Sequence, residues 1–237
     1  MNIPPHRNLS LANTRQVWQT PDTKELYKQN IANPQTRAQL DQLGWIDREI
    51  IYDFNSHGFR SIEFGSVTSA GLALGCSHTE GVGSPLEDVW VSMVSQDIQQ
   101  PIYNLGVGGA SMDTLFRLAD YWIPELKPAF VLVACTYSHR IELVNENGEF
   151  NTYLPTTKPL PLFYQEWALN TANGQLNFRK NLLAIQYICS QHNIPIVAIP
   201  MQGNFTHDRL ARDLIHCSRR AHRELADKFI AQLKDLI

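Results

Sequence analysis

The sequence predicts an α/β protein, a three-layer α/β/α sandwich built on a central, mostly parallel sheet. Three observations carry this reading. Apolar runs without polar alternation recur at residues 72–74, 129–135 and 194–200, as expected of strands covered on both faces. Between them lie longer segments with helical spacing, such as residues 111–122 with Leu115, Leu118 and Trp122 on one side. The alternation of the two, strand then helix, is the signature of parallel strands joined by crossover helices.

The chain has 237 residues, enough for one medium α/β domain with a sizeable core and an appended arm. Residues 1–60 are read as an N-terminal arm packed on the main domain of residues 61–237. Within the arm, residues 1–12 look irregular. Residues 23–31 and 34–43 read as short helices, the second opened by Pro34 and stopped by Gly44. Trp18, Leu40, Leu43 and Trp45 give the arm apolar groups with which to dock. Residues 50–54 form a strand candidate, followed by a turn of Asn, Ser and Gly that leads to Phe59 and Arg60. For Arg60 a surface ion pair is the expected role, ahead of contact with an acidic substrate group.

In the main domain, residues 72–74 form a strand and residues 85–98 a helix carrying Trp90, Met93 and Val94 on one side. Residues 101–105 form a short strand. Ser111 caps a helix expected to run to Trp122 and stop before Pro124. After the strand at 129–135, residues 141–170 make an insertion near the active site, with Asn145-Glu146-Asn147-Gly148 as a turn and prolines at 155, 159 and 161. Residues 173–191 read as a helix, 194–200 as a strand and 218–236 as a closing amphipathic helix.

Composition narrows the function classes. A net charge of −3 gives no electrostatic footprint for nucleic acid. No run is apolar and long enough to span a bilayer, and residues 1–11 lack the apolar core of a secretory leader, so the expected location is cytoplasmic. The 4 cysteines are scattered without paired spacing. Cys135 and Cys189, in apolar runs, read as reduced core residues. The 8 histidines show no compact ligand spacing, so neither a metal nor a cofactor is expected. The glycines at 106, 108 and 109 do not complete a nucleotide-binding fingerprint.

The chemistry concentrates in three stretches. Gly75-Cys76-Ser77-His78-Thr79-Glu80-Gly81 follows the first strand, where open α/β sheets place their ligands. Asn104-Leu105-Gly106-Val107-Gly108-Gly109 follows the second, and Asp213-Leu214-Ile215-His216 lies far downstream. A serine, an imidazole and a carboxylate are the parts of a nucleophilic hydrolase. His216 can take the serine's proton, and Asp213 can hold the ring's other nitrogen. Among the remaining polar residues, His78 and Glu80 read either as pocket-shaping groups or as loop polarity, and His139 as a candidate substrate contact or alternative donor. His222 reads as helix surface. His207 and Asp208 have no serine motif of their own.

These three stretches, in this order, resemble the motifs of SGNH/GDSL hydrolases over residues 69–236. The resemblance implies a flavodoxin-like fold and a serine esterase. Ser77 would be the nucleophile, with Asp213 and His216 completing the triad. The oxyanion hole would be formed by the backbone N–H groups of Ser77 and Gly109. The sequence departs from the family at two places. Cys76 stands where aspartate precedes the serine, and Tyr137 or Ser138 stands where an asparagine supplies a third oxyanion donor. Ser138 is the expected replacement, with His78, Tyr137 and His139 as substrate-binding candidates. The expected substrate is a small-molecule or glycan ester, either an O-acetylated carbohydrate or a short-chain acyl ester. The alternatives are a carbohydrate O-acyltransferase and a non-catalytic binding module on the same fold.

Overall fold

The computed structural model describes residues 9–159 and 161–236. The irregular reading of residues 1–8 lies outside them, and Leu9–Leu11 forms a single 3-10 turn. In the arm, β1 (Arg15–Gln16) pairs antiparallel with β2 (Tyr52–Asp53), a shorter strand than the 50–54 run predicts. Helix α1 (Lys24–Ala32) starts at Thr23, whose Oγ1 accepts the Leu26 N–H at 3.1 Å. Helix α2 (Pro34–Gln42) starts where Pro34 predicts, capped by the Asn33 side chain. Leu40, Trp45, Ile50, Tyr52 and Phe54 form an apolar cluster of their own beneath these elements.

The central sheet has four parallel strands, β3 (Gly71–Gly75), β4 (Ile102–Gly106), β5 (Val131–Cys135) and β8 (Ile196–Pro200), in the order β4-β3-β5-β8. The chain moves from β3 to one side, to β4, and then back across β3 to β5. The carboxyl ends of β3 and β5 therefore flank a topological switch point, where such sheets open a crevice. β3, β4 and β5 are buried throughout, which is why their sequences run apolar without alternation.

The period of two along each strand separates two cores. Ala73, Leu132, Ala134, Val197 and Ile199 face α4 (Trp90–Asp97) and α7 (Arg219–Leu233). Leu72, Leu74, Val131, Val133 and Cys135 face α5 (Met112–Leu126) and α6 (Thr171–Gln191). The expected α/β/α layering is thus present, with a short α3 (Ser77–Glu80) directly after β3.

Three boundaries differ from the sequence expectation. The segment at 85–98 splits into a 3-10 turn, Leu86–Asp88, and α4, because Val89 is extended (ψ 141°) and fully buried. Helix α5 continues through Pro124 to Leu126. Pro124 lies in its last turn and leaves the Asp120 carbonyl without a helix partner, where Asp120 is exposed to water. His222 is fully buried, not on the helix surface. Its position in α7 shares the face of Leu225, Ala226 and Phe229, and burial pushes its imidazole down to about 3.

The insertion at 141–170 contains a hairpin, β6 (Ile141–Val144) and β7 (Phe150–Tyr153), turning at Asn145–Gly148. Glu142 anchors it to α5 through a buried pair with Arg117, Nε to Oε1 2.8 Å, and accepts from Thr114 Oγ1 at 2.8 Å. The arm is tied down by a second buried pair. Arg212 Nε donates to Asp22 Oδ1 at 3.1 Å, Tyr52 donates to Asp22 Oδ2 at 2.6 Å, and the Arg212 guanidinium lies 4.2 Å from the Trp18 ring centroid. Trp45 Nε1 adds a bond to the Leu210 carbonyl at 2.9 Å.

Both side chains of the Asp22–Arg212 pair are 1% exposed, so removing one partner strands a charge away from water. Asp22→Ala is expected to lower stability by about 3–5 kcal/mol, read from the urea unfolding midpoint. An unchanged midpoint would show the tie to be dispensable.

Candidate active site

Ser77 is the first residue after the bend that ends β3, with Cys76 in an extended conformation before it. Every residue from Cys76 to Pro85 is buried, so the turn's own polar groups need internal partners. Arg60 supplies several of them. It is 1% exposed and donates to the carbonyls of Gly81 (2.6 Å), Ser84 (3.1 Å) and Ile51 (2.8 Å). The expected surface ion pair is therefore replaced by an internal brace, stacked 4.3 Å from the Tyr52 ring centroid. Asn104 Nδ2 donates to the Thr79 carbonyl at 2.7 Å. Gly106, at the end of β4, lies so close to the turn that a Cβ there would stand 2.1 Å from the Glu80 backbone nitrogen.

The loop before α7 brings the other two groups. Asp213 Oδ1 accepts the N–H groups of Ile215 and His216, both at 2.9 Å, which folds the four residues into a tight turn with Leu214 at φ 55°. Asp213 Oδ2 and His216 Nδ1 are 2.6 Å apart, and His216 Nε2 and Ser77 Oγ are 2.8 Å apart. With Nδ1 donating to the carboxylate, Nε2 is left to accept from the serine hydroxyl. Burial by itself would raise the Asp213 carboxyl, but the hydrogen bond and charge of His216, with the two backbone N–H groups, outweigh it and hold the pKa below the ordinary value. Gly83 clears space for this carboxylate. Its φ is +77°, and a Cβ would meet Asp213 Oδ1 at 3.0 Å.

Ser77, Gly109 and His216 open onto one cavity of about 610 Å³. The backbone N–H groups of Ser77 and Gly109 are not spent on another acceptor among the described residues. Glu80, 3% exposed, holds the glycine loop in place. Its Oε2 accepts the Gly108 N–H at 2.6 Å and its Oε1 accepts from Gln19 of the arm at 2.8 Å. Burial pushes the Glu80 carboxyl up, against those two bonds and Arg60. Of the two readings of Glu80, pocket-shaping group or loop polarity, the structure places it on the cavity wall.

Other residues singled out by the sequence lie elsewhere. Tyr137, Ser138, His139 and His78 do not line this cavity. The Tyr137 hydroxyl meets His207 Nε2, and the His139 ring stacks on Tyr137. His78 is buried among the rings of Phe205, His207 and His216. Arg140 does line the cavity, donating to the Ala110 carbonyl at 3.3 Å. It was legible only as a cation just past the loop after β5. Gln19, Thr152 and Leu154, from the arm and the hairpin, complete the wall, and no sequence motif marks them. Asp208 accepts from the Ser218 N–H at 2.7 Å at the start of α7. The absence of ligand spacing among the histidines also proves misleading in space, since His78, His207 and Cys217 converge.

No family model matches the chain, and no curated protein matches it. Among solved structures, 29 chains match. The chain is similar to TesA, with 16% identity, 71% of this chain and 99% of that one covered, and a TM-score of 0.40. It is similar to AlinE4, described as an SGNH-hydrolase family esterase (15%, 72% and 74%, TM-score 0.38). It is also similar to the psychrotrophic esterase EstA from Pseudoalteromonas sp. (15%, 70% and 97%, TM-score 0.38). At these scores, what Ser77, Asp213 and His216 can do follows from their own geometry.

Gly106→Ala drives a methyl group into backbone that has nowhere to go. The variant is expected to lose about 1–3 kcal/mol of stability, with Ser77 no longer labelled by a fluorophosphonate. Wild-type stability and labelling would contradict the packing described.

Proposed function

We propose that the protein is a serine esterase that cleaves carboxylic esters through an acyl-enzyme on Ser77. The observation that carries this reading is the unbroken relay from Asp213 through His216 to Ser77, at 2.6 and 2.8 Å. In the first step Ser77 Oγ attacks the ester carbonyl carbon while His216 Nε2 takes its proton. The carbonyl oxygen becomes an oxyanion, and the N–H groups of Ser77 and Gly109 are the donors placed to receive it. His216 then returns the proton to the departing alkoxide, and the alcohol leaves. Water, deprotonated by the same nitrogen, attacks the acyl carbon, and Ser77 is regenerated as the acid departs.

The cavity's size and mixed lining suit a small or partly bound ester, such as an O-acetylated carbohydrate or a short-chain acyl ester. Arg140, on the cavity wall, is a cation available to the ester's oxygens. A sugar hydroxyl in place of water would make the same machinery an acyltransferase. A non-catalytic binder has no need of a serine hydroxyl held on an imidazole that is itself held on a carboxylate, and this counts against that alternative.

Hydrolysis of para-nitrophenyl acetate is expected to fall by about 10⁴-fold in Ser77→Ala, with fluorophosphonate labelling abolished. Equal turnover in the two proteins would sink the assignment.

A further inference from the structure

Beside His216, whose ring lies 5.0 Å from that of His78, three metal-ligating side chains converge from separate parts of the chain. His78 follows the nucleophile on α3, His207 lies in the loop after β8, and Cys217 follows His216. One ligand atom from each lies within 4.8 Å of the others. We propose that His78, His207 and Cys217 form a binding site for a borderline-soft divalent transition metal such as Zn²⁺.

Four observations point to a ligand. First, His207 Nδ1 and Cys217 Sγ are 3.7 Å apart. Tetrahedral zinc, with Zn–S of about 2.3 Å and Zn–N of about 2.0 Å, spaces its sulfur and nitrogen ligands at about 3.6 Å. Second, the other nitrogen of His207 already has its partner, because Nε2 meets the Tyr137 hydroxyl. A ligating histidine characteristically engages its second nitrogen in this way, which fixes the ring and the tautomer. Third, His78 is 6% exposed and its Nδ1 is buried with no hydrogen-bond partner, a deficit that asks for an explanation. Fourth, Cys217 is a free, buried thiol.

The thiol gives up its proton on binding a metal, because the thiolate is the ligand. Closing the widest separation to ligand spacing needs about 1 Å of side-chain movement. His207 is exposed, which leaves an entry path and room for a water as the fourth ligand. The His78 and His216 ring centroids are 5.0 Å apart, so an occupied site sets a dication beside the catalytic relay.

The test is titration of the chelator-treated full chain with Co²⁺, followed by absorption. One equivalent is expected to bind, with a thiolate-to-cobalt charge-transfer band in the near ultraviolet and the visible bands of a tetrahedral ion. Cys217→Ser is expected to abolish the ultraviolet band, and His207→Ala to weaken binding at least about tenfold, the lower end of what losing even an outer-shell partner costs. His207 is on the surface, so its variant stays informative if the buried cysteine variant does not fold. Ser77→Ala is expected to keep both band and affinity, which separates this site from the esterase reading. Cobalt binding without the thiolate band, a band that persists undiminished in His207→Ala, or no binding at millimolar metal would overturn the proposal.

Discussion

The structure turns on the burial of one polar turn. From Cys76 to Pro85 the chain carries backbone groups that in most loops face water, and here none of these residues is exposed. Each carbonyl and N–H left over from the short helix α3 then demands a partner, at a cost of about 1–3 kcal/mol for each one unmet. Arg60, Asn104 and Tyr52 are buried for that reason, and each comes from a different part of the chain. Side chains from three other segments thus brace the turn that carries Ser77.

The same constraint explains the missing side chain at Gly106 and the route of the glycine loop. The turn and the end of β4 touch backbone to backbone. Glu80, the last residue of α3, reaches across this contact to the Gly108 N–H. One bond thus couples the position of the turn that carries Ser77 to the segment that carries the neighbouring Gly109 N–H.

The layering and the relay were legible because their signals are local. Continuous apolar runs such as Val131–Cys135 report strands buried on both faces, and Asp213 and His216 lie three residues apart with their serine at a strand end. What escaped was set by tertiary context. Arg60 read as a surface residue because nothing local announces that two of the carbonyls it meets, those of Gly81 and Ser84, lie more than twenty residues away and are buried. Tyr137 and Ser138 occupy the expected position along the chain, but the loop turns Tyr137 to His207, and Arg140 faces the cavity instead. His222 was recoverable: counting Leu225, Ala226 and Phe229 on its face puts it in the core. The boundary of α5 was missed because Pro124 reads locally as a stop, whereas the helix carries it inside its last turn.

The tie between Asp22 and Arg212 has a consequence for how the molecule comes apart. Arg212 is the residue immediately before Asp213, so the guanidinium that fastens the arm and the carboxylate that orients His216 share one stretch of backbone. The arm also supplies Gln19 to Glu80. Local opening in proteins proceeds by cooperative units whose members lose their contacts together. Loss of the arm's tie to Arg212 therefore acts directly on the backbone that carries the Asp213 carboxylate and, through Gln19, on the carboxylate that holds the glycine loop.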